Sequence, residues 1–338
     1  MPTRVLALLI AVAMVVGAFW GRDRLDQRSA DKAHRPRLLC IPELAVFCHG
    51  LADRHVADVT VESAGQTASR VAASAGDPGI DGWLTISPWP VIAEQRRARL
   101  SLPRLFLSDR PAVLARSPLA VAVWPDRAAV MDAQCKLTWK CLGQVAAKRQ
   151  WADVPGGNKA WGPVKIAVPD ASESAVGVTV LAAASVDFFG GRTDLSTTDL
   201  ETPAYQDWLS GLVAATPSAF PDFRQVLAAG PSVEDAYASV EADLLDGLAG
   251  YARTPRPQLI YPSPVMSADL VLATTAGRAG DRLRQSVGDA VRDRLSKRGW
   301  RVPGLSEPAG ASAALPPANG VPEPGLLEAF RKAWDAAS

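Results

Sequence analysis

Three histidines, four cysteines and a scatter of hydroxyl and carboxyl groups are what this 338-residue sequence offers for chemistry beyond packing. His34, His49 and His55 all fall in the first sixth of the chain, so most of it lacks the usual general base and metal ligand. No G-x-S-x-G elbow occurs. A Ser-His-Asp relay would have to recruit His49 or His55 from beside the first helix, so an exported hydrolase ranks third among the readings and the chain is expected not to be an enzyme. The cysteines form two near pairs in sequence, Cys40 with Cys48 and Cys135 with Cys141. Zinc matches them poorly: neither spacing is of the C-x-x-C type, and His49 and His55 do not complete a second ligand pair. No metal and no cofactor is expected. Four cysteines allow three pairings, of which the two local ones are favoured. The first would staple a strand to its following helix, and the second would close a small loop over residues 136–140. Residues six apart on a continuous helix point in different directions, so the second bridge requires a helix break.

Composition sets the background for these groups. With 48% hydrophobic and 21% charged residues the chain is globular and long enough for one large domain or two lobes. Thirty-six Lys and Arg against 35 Asp and Glu leave a net charge of +1, which gives no reason to expect a nucleic-acid partner. An apolar run over residues 5–20, preceded by Arg4 and stopped by Gly21 and Arg22, is an export signal or a membrane anchor. As a helix it would reach about 24 Å, short of the ~30 Å hydrocarbon core, which favours a cleavable signal. Phe19 and Trp20 favour an uncleaved anchor that keeps membrane contact through residues 5–20. Either way the chain is expected to act outside the cytoplasm, where thiols tend to end as disulfides.

Hydrophobic periodicity supplies the elements that must position these groups. Residues 37–41, 56–62 and 82–86 read as strands, each followed by a turn and a helix, over 42–52, 66–75 and 91–99. Three such units imply a parallel sheet, in which ligands sit beyond the carboxyl ends of the strands. A long apolar strand at 117–124 leads into an irregular helical stretch at 128–151. Residues 164–168 then read as a buried strand, 169–174 as a turn and 175–184 as a small-residue helix capped by Ser172 or Ser174. Further helices are expected at 204–215 and 233–252, strands at 258–261 and 268–273, and an amphipathic Arg- and Asp-rich helix at 280–298. Residues 304–325 read as a mobile linker before a short helix at 326–336.

This order resembles the type II periplasmic solute-binding proteins of ABC importers over roughly residues 35 to 300. The stretches that carry the resemblance are SPLAVAVW at 117–124, WADV at 151–154, VKIAVPDASESAVG at 164–177 and LIYPSPVMSADLVLA at 259–273. The resemblance implies an α/β, two-lobed fold, each lobe a mostly parallel sheet flanked by helices. The expected organisation is 1–34 as signal or anchor plus linker, 35–118 with 262–304 as lobe 1, 119–261 as lobe 2, and 305–338 as linker and terminal helix. It further implies a clamp that closes on a small polar solute and presents it to an ABC permease or other membrane protein. The cleft contacts it implies are Glu43, Ser63, Gln66, Ser87, Trp89, Ser172, Ser174 and Tyr261. Each also has a plainer role open to it, as a helix cap or core aromatic. One departure bears on the solute: oxyanion binders of this family place Ser or Thr after the first strand, where this chain has Cys40, Ile41, Pro42 and Glu43. A carboxylate there would repel an anion, so a neutral or cationic solute fits better. The alternative is a membrane-anchored envelope scaffold or sensor with a degenerate cleft, plugged by its own side chains.

Overall fold

A computed structural model describes residues 35–108, 110–312, 315 and 321–338, and the apolar run at 5–20 lies outside them. Among the described residues no helix is long and apolar enough to cross a membrane. The chain opens with three strand–helix units. They are β1 (Arg37–Cys40) with α1 (Ala45–Ala52), β2 (Asp58–Val61) with α2 (Ala64–Ala73), and β3 (Gly82–Ser87) with α3 (Trp89–Arg99). The eleven-residue β4 (Val113–Val123) follows, then α4 (Pro125–Cys135), α5 (Trp139–Ala146), β5 (Ile166–Ala167) and α6 (Gly177–Phe188). Next come α7 (Thr197–Leu200), α8 (Pro203–Ala215), α9 (Phe223–Ala229), β6 (Ala236–Val240) and α10 (Glu241–Leu248). The chain closes with β7 (Gln258–Ile260), β8 (Ser267–Thr274), α11 (Arg278–Lys297) and α12 (Pro324–Ala337).

The strands run in the order β2-β1-β3-β8-β4-β6-β5, with β7 also on β4. β1 pairs in parallel with β2 and β3, and β5 in parallel with β6. The antiparallel pairs all involve β4 or β8. β4 changes partners part-way: Val113 to Pro118 lie against β8, and Leu119 to Val123 against β6, with β7 on its last three residues. The chain comes back between Ile260 at the end of β7 and Ser267 at the start of β8. Two half-sheets therefore share β4, and the fold is α/β and two-lobed, with parallel strand–helix units in each half and antiparallel strands where the halves join.

Packing follows from the patterns that form the elements. α11 buries Leu283, Val287, Val291 and Leu295, four apart and so on one helical face, against the sheet. Trp83, Trp89, Trp139 and Trp151 are fully buried. Both disulfides are local, Cys40 with Cys48 and Cys135 with Cys141. The helix break needed by the second lies at Lys136 and Leu137, which take left-handed φ of 56° and 47°, and Thr138 caps the next helix by accepting from the Cys141 amide.

Three expectations need correction. Residues 233–252 are not one helix: Ala236–Val240 form the fully buried β6, and only Glu241–Leu248 are helical. The sequence AYASV is rich in small residues that suit a helix, but pairing with β4 on one side and β5 on the other decides its conformation. The strand expected over 164–168 is a ladder of only Ile166 and Ala167, because β5 has one neighbour and the chain turns at Pro169. The terminal helix is longer than expected and buries Leu327, Phe330 and Trp334 in the main core.

Candidate functional site

The start of α6 is held by local hydrogen bonds. Asp170 Oδ1 accepts from the amides of Ser172 and Glu173, at 2.6 and 3.2 Å. Ser174 Oγ accepts from the amides of Val176 and Gly177, at 3.1 and 3.2 Å. Gly177 is required here, since a Cβ would come within 2.2 Å of the Asp170 carbonyl oxygen. The turn thus aims the positive end of α6 at the other half of the molecule.

What meets it is Glu43, set just beyond β1 in a single 3-10 turn, Pro42–Leu44. Its Oε1 accepts from Ser174 Oγ at 2.7 Å and from the Ala175 amide at 3.0 Å. Ser63, the N-cap of α2, donates to Glu173 Oε2, while the Gly65 amide donates to the Glu173 carbonyl at 3.2 Å. Trp89, fully buried at the start of α3, donates its Nε1 to the Ala175 carbonyl at 3.2 Å. The N-terminal ends of three helices from one half therefore close on the α6 turn of the other.

Beside this seam lies a cavity of about 880 Å³. Glu43, Ser63 and Ser174 line it, so three of the residues expected at the cleft are brought together. The other five are elsewhere. The Gln66 side chain is exposed on α2, and Ser87 is half-buried at the end of β3. Trp89 is packed beneath the seam rather than facing the cavity. Ser172 Oγ donates to Asp335 and accepts from Arg331 of α12. Tyr261 donates its hydroxyl to the buried Glu241 at 2.6 Å, and Glu241 also takes Arg301 and the Ser312 amide, which ties the residue after β7 to the start of α10 and to the segment after α11.

The far wall was not foreseen from the sequence. Phe220, Phe223 and Tyr237 form an aromatic group there, with Phe220 and Phe223 centroids 4.9 and 5.0 Å from that of Tyr237. Asp222 caps α9 through the Arg224 amide at 2.7 Å, and Asp246 pairs with the Arg224 guanidinium at 2.9 Å. Asp243 accepts from Ser239 Oγ at 2.8 Å. Its carboxylate is set deep among protein atoms yet opens onto the cavity, and is pushed up to about 6 by burial and then by Glu43, Asp222 and Asp246. In all, six carboxylates line the cavity against two guanidinium groups, Arg224 and Arg298. Reading residues 233–252 as a helix hid this wall, since Tyr237 and Ser239 share a face only in a strand. The Asp222-x-x-Gln225 capping box is the sequence signal that marks the start of α9.

No protein-family model matches the sequence, and no curated protein matches it. Solved structures do. A periplasmic thiamin binding protein aligns with a TM-score of 0.58 and 13% identity, covering 89% of this chain and 95% of that one. The periplasmic binding protein AfuA from Actinobacillus pleuropneumoniae, with exogenous fructose-6-phosphate bound, aligns at 0.57 and 12% identity over 90% of this chain and 97% of that one. The apo ferric ion-binding protein A of Pasteurella haemolytica aligns at 0.50 and 12% identity, over 89% and 95%. Identities this low carry the fold and not the ligand. The chain has the two-lobed fold of the type II periplasmic binding proteins.

Proposed function

We propose that this chain is an extracytoplasmic solute-binding protein that closes two lobes, 35–118 with 262–304 and 119–261, on a small polar, non-anionic solute and presents it to an ABC importer. The observation that carries this is the cavity beside the α6 turn, whose walls come from both halves, while the halves are joined through β4 and the return to β8. Clamping requires both properties, because a ligand touching one lobe alone gives closure no advantage. The disulfides support an oxidising compartment. The anion is disfavoured because Glu43 already occupies the helix N-terminus where an anionic group would sit. Native mass spectrometry of protein from its own host tests the proposal. A small adduct lost on denaturation is expected, together with a smaller radius of gyration for the loaded form.

A second reading, an envelope scaffold whose cleft is closed by its own side chains, is favoured by one observation. Glu43 with Ser174 and Ser63 with Glu173 already bridge the halves. That reading takes over if only the bare protein mass is found and scattering shows one unchanging shape.

A further inference from the structure

The cavity beside the seam is uneven in charge and in texture, and the two together define a ligand class. On the charged side, Arg224 is engaged by Asp246, and Asp222 is engaged by the Arg224 amide. Glu43 and Glu173 accept hydrogen bonds from across the seam. Arg298 can offset one more carboxylate, which still leaves negative charge in excess. Asp243 accepts from Ser239 Oγ, and an ionised carboxylate has room for several more donors. Its free capacity faces the cavity. On the apolar side, Phe220 is 39% exposed and Val46, on α1 of the other half, is 65% exposed. Two large apolar side chains from different halves thus face the same space, backed by Tyr237 and Phe223.

A bare metal ion does not match this arrangement, since no group of three or more His, Cys, Asp or Glu side chains among the described residues is placed to hold one. An anion meets the surplus of carboxylates. A neutral sugar can donate hydroxyls to Asp243 but brings no positive charge to offset the surplus of carboxylates. We infer that the solute is an organic cation: an ammonium or similar group set against Asp243, with an aromatic or apolar body packed between Phe220 and Val46. A ring cation also gains from the face of Phe220. This inference deepens the solute-clamp proposal and rests on it.

The test uses three probes of one shape at pH 7.5 and low salt: phenethylammonium, 2-phenylethanol and 3-phenylpropionate, titrated calorimetrically into the purified chain. Phenethylammonium is expected to bind at least about tenfold more tightly than the alcohol, with no measurable binding of the carboxylate. Asp243→Asn should weaken the cation about tenfold or more and leave the alcohol unchanged, and Phe220→Ala should weaken both by a few fold. Circular dichroism checks that each variant is folded. If the alcohol or the carboxylate binds as well as the cation, or if Asp243→Asn does not change cation affinity, the charge class is wrong while a solute clamp still stands. If none of the three binds at millimolar concentration, the inference fails. An adduct in the native mass spectrum would then show that the clamp survives it, and its absence would show that both fall together.

Discussion

Asp243 sits where a carboxylate is expensive to ionise. Its proton affinity is raised to about 6, first by burial and then by Glu43, Asp222 and Asp246, with Ser239 partly opposing the shift. Facing it from the packed elements are also Tyr237 on β6 and Arg298 beyond α11. A carboxyl group that is harder to ionise when folded binds more protons in the native chain than in the unfolded one at intermediate pH. Stability therefore falls as pH rises from about 4 to about 6 and stays lower above that. Asp243 is exposed to the cavity, where solvent screens much of this effect. Asp243→Asn keeps an acceptor for Ser239 and removes the charge, so its Tm should exceed that of the parent slightly at pH 7.5, with the gap closing near pH 4. Equal melting curves at both pH values would mean the site carries no electrostatic strain. A residue that lowers stability yet opens onto a cavity is the pattern expected of a binding group. Nothing at the residue scale of the sequence pointed to it: Asp243 follows Glu241 by two positions and looks like an ordinary helix-start acid. Glu43 and Ser174 were legible because their positions, just past a strand and just before a helix, fix where they point.

Among the elements, α12 has a role that a short terminal helix after a linker does not suggest. It packs on α6 and α8 of one half and on α3 of the other. Glu328 is its fastening, accepting from Arg96 of α3 at 2.9 Å and from Arg331 at 3.2 Å. Burial pushes the Glu328 carboxyl up, but the hydrogen bonds from Arg331 and Arg96 outweigh it and hold the group below its ordinary value. A carboxylate held low stabilises the fold above its unfolded pKa and loses that contribution as pH falls through the folded one. Glu328→Gln should therefore cost about 1.5–3 kcal/mol in a urea titration at pH 7.5, and much less at pH 3. Matching midpoints at pH 7.5 would show that the buried Leu327, Phe330 and Trp334 hold the helix alone. The helix itself was readable from its apolar spacing, as were α1, α2, α3, α8 and α11. Its tie to Arg96 was not, because it joins positions 232 residues apart. The same limit explains β6, whose strand conformation depends on partners that local composition does not encode.

At the scale of the whole molecule, the question is whether the two halves move as units. The seam between them passes through Gly65, where a Cβ would lie 1.9 Å from the Ser172 carbonyl oxygen and 2.9 Å from its carbon. Those are backbone atoms of the opposite half, braced by Asp170 and by α12, so no flexible side chain can give way. Gly65 does not need the conformational freedom of glycine: it lies in the first turn of α2, outside the positive-φ residues, and alanine is the better helix former there. The single substitution Gly65→Ala therefore separates the interlobe contact from the folding of either half. If the halves are joined only by the β4 crossing, the return to β8 and α12, they should hinge apart to accept the methyl group. Scattering should then show a larger radius of gyration while circular dichroism keeps the parent's helix and strand content. The variant should also bind phenethylammonium more weakly, because the walls carrying Val46 and Phe220 no longer face each other across one cavity. A radius equal to the parent's with the fold intact would mean that the backbone adjusts locally and the halves form one rigid body. A clamp could not work that way, whereas a scaffold could.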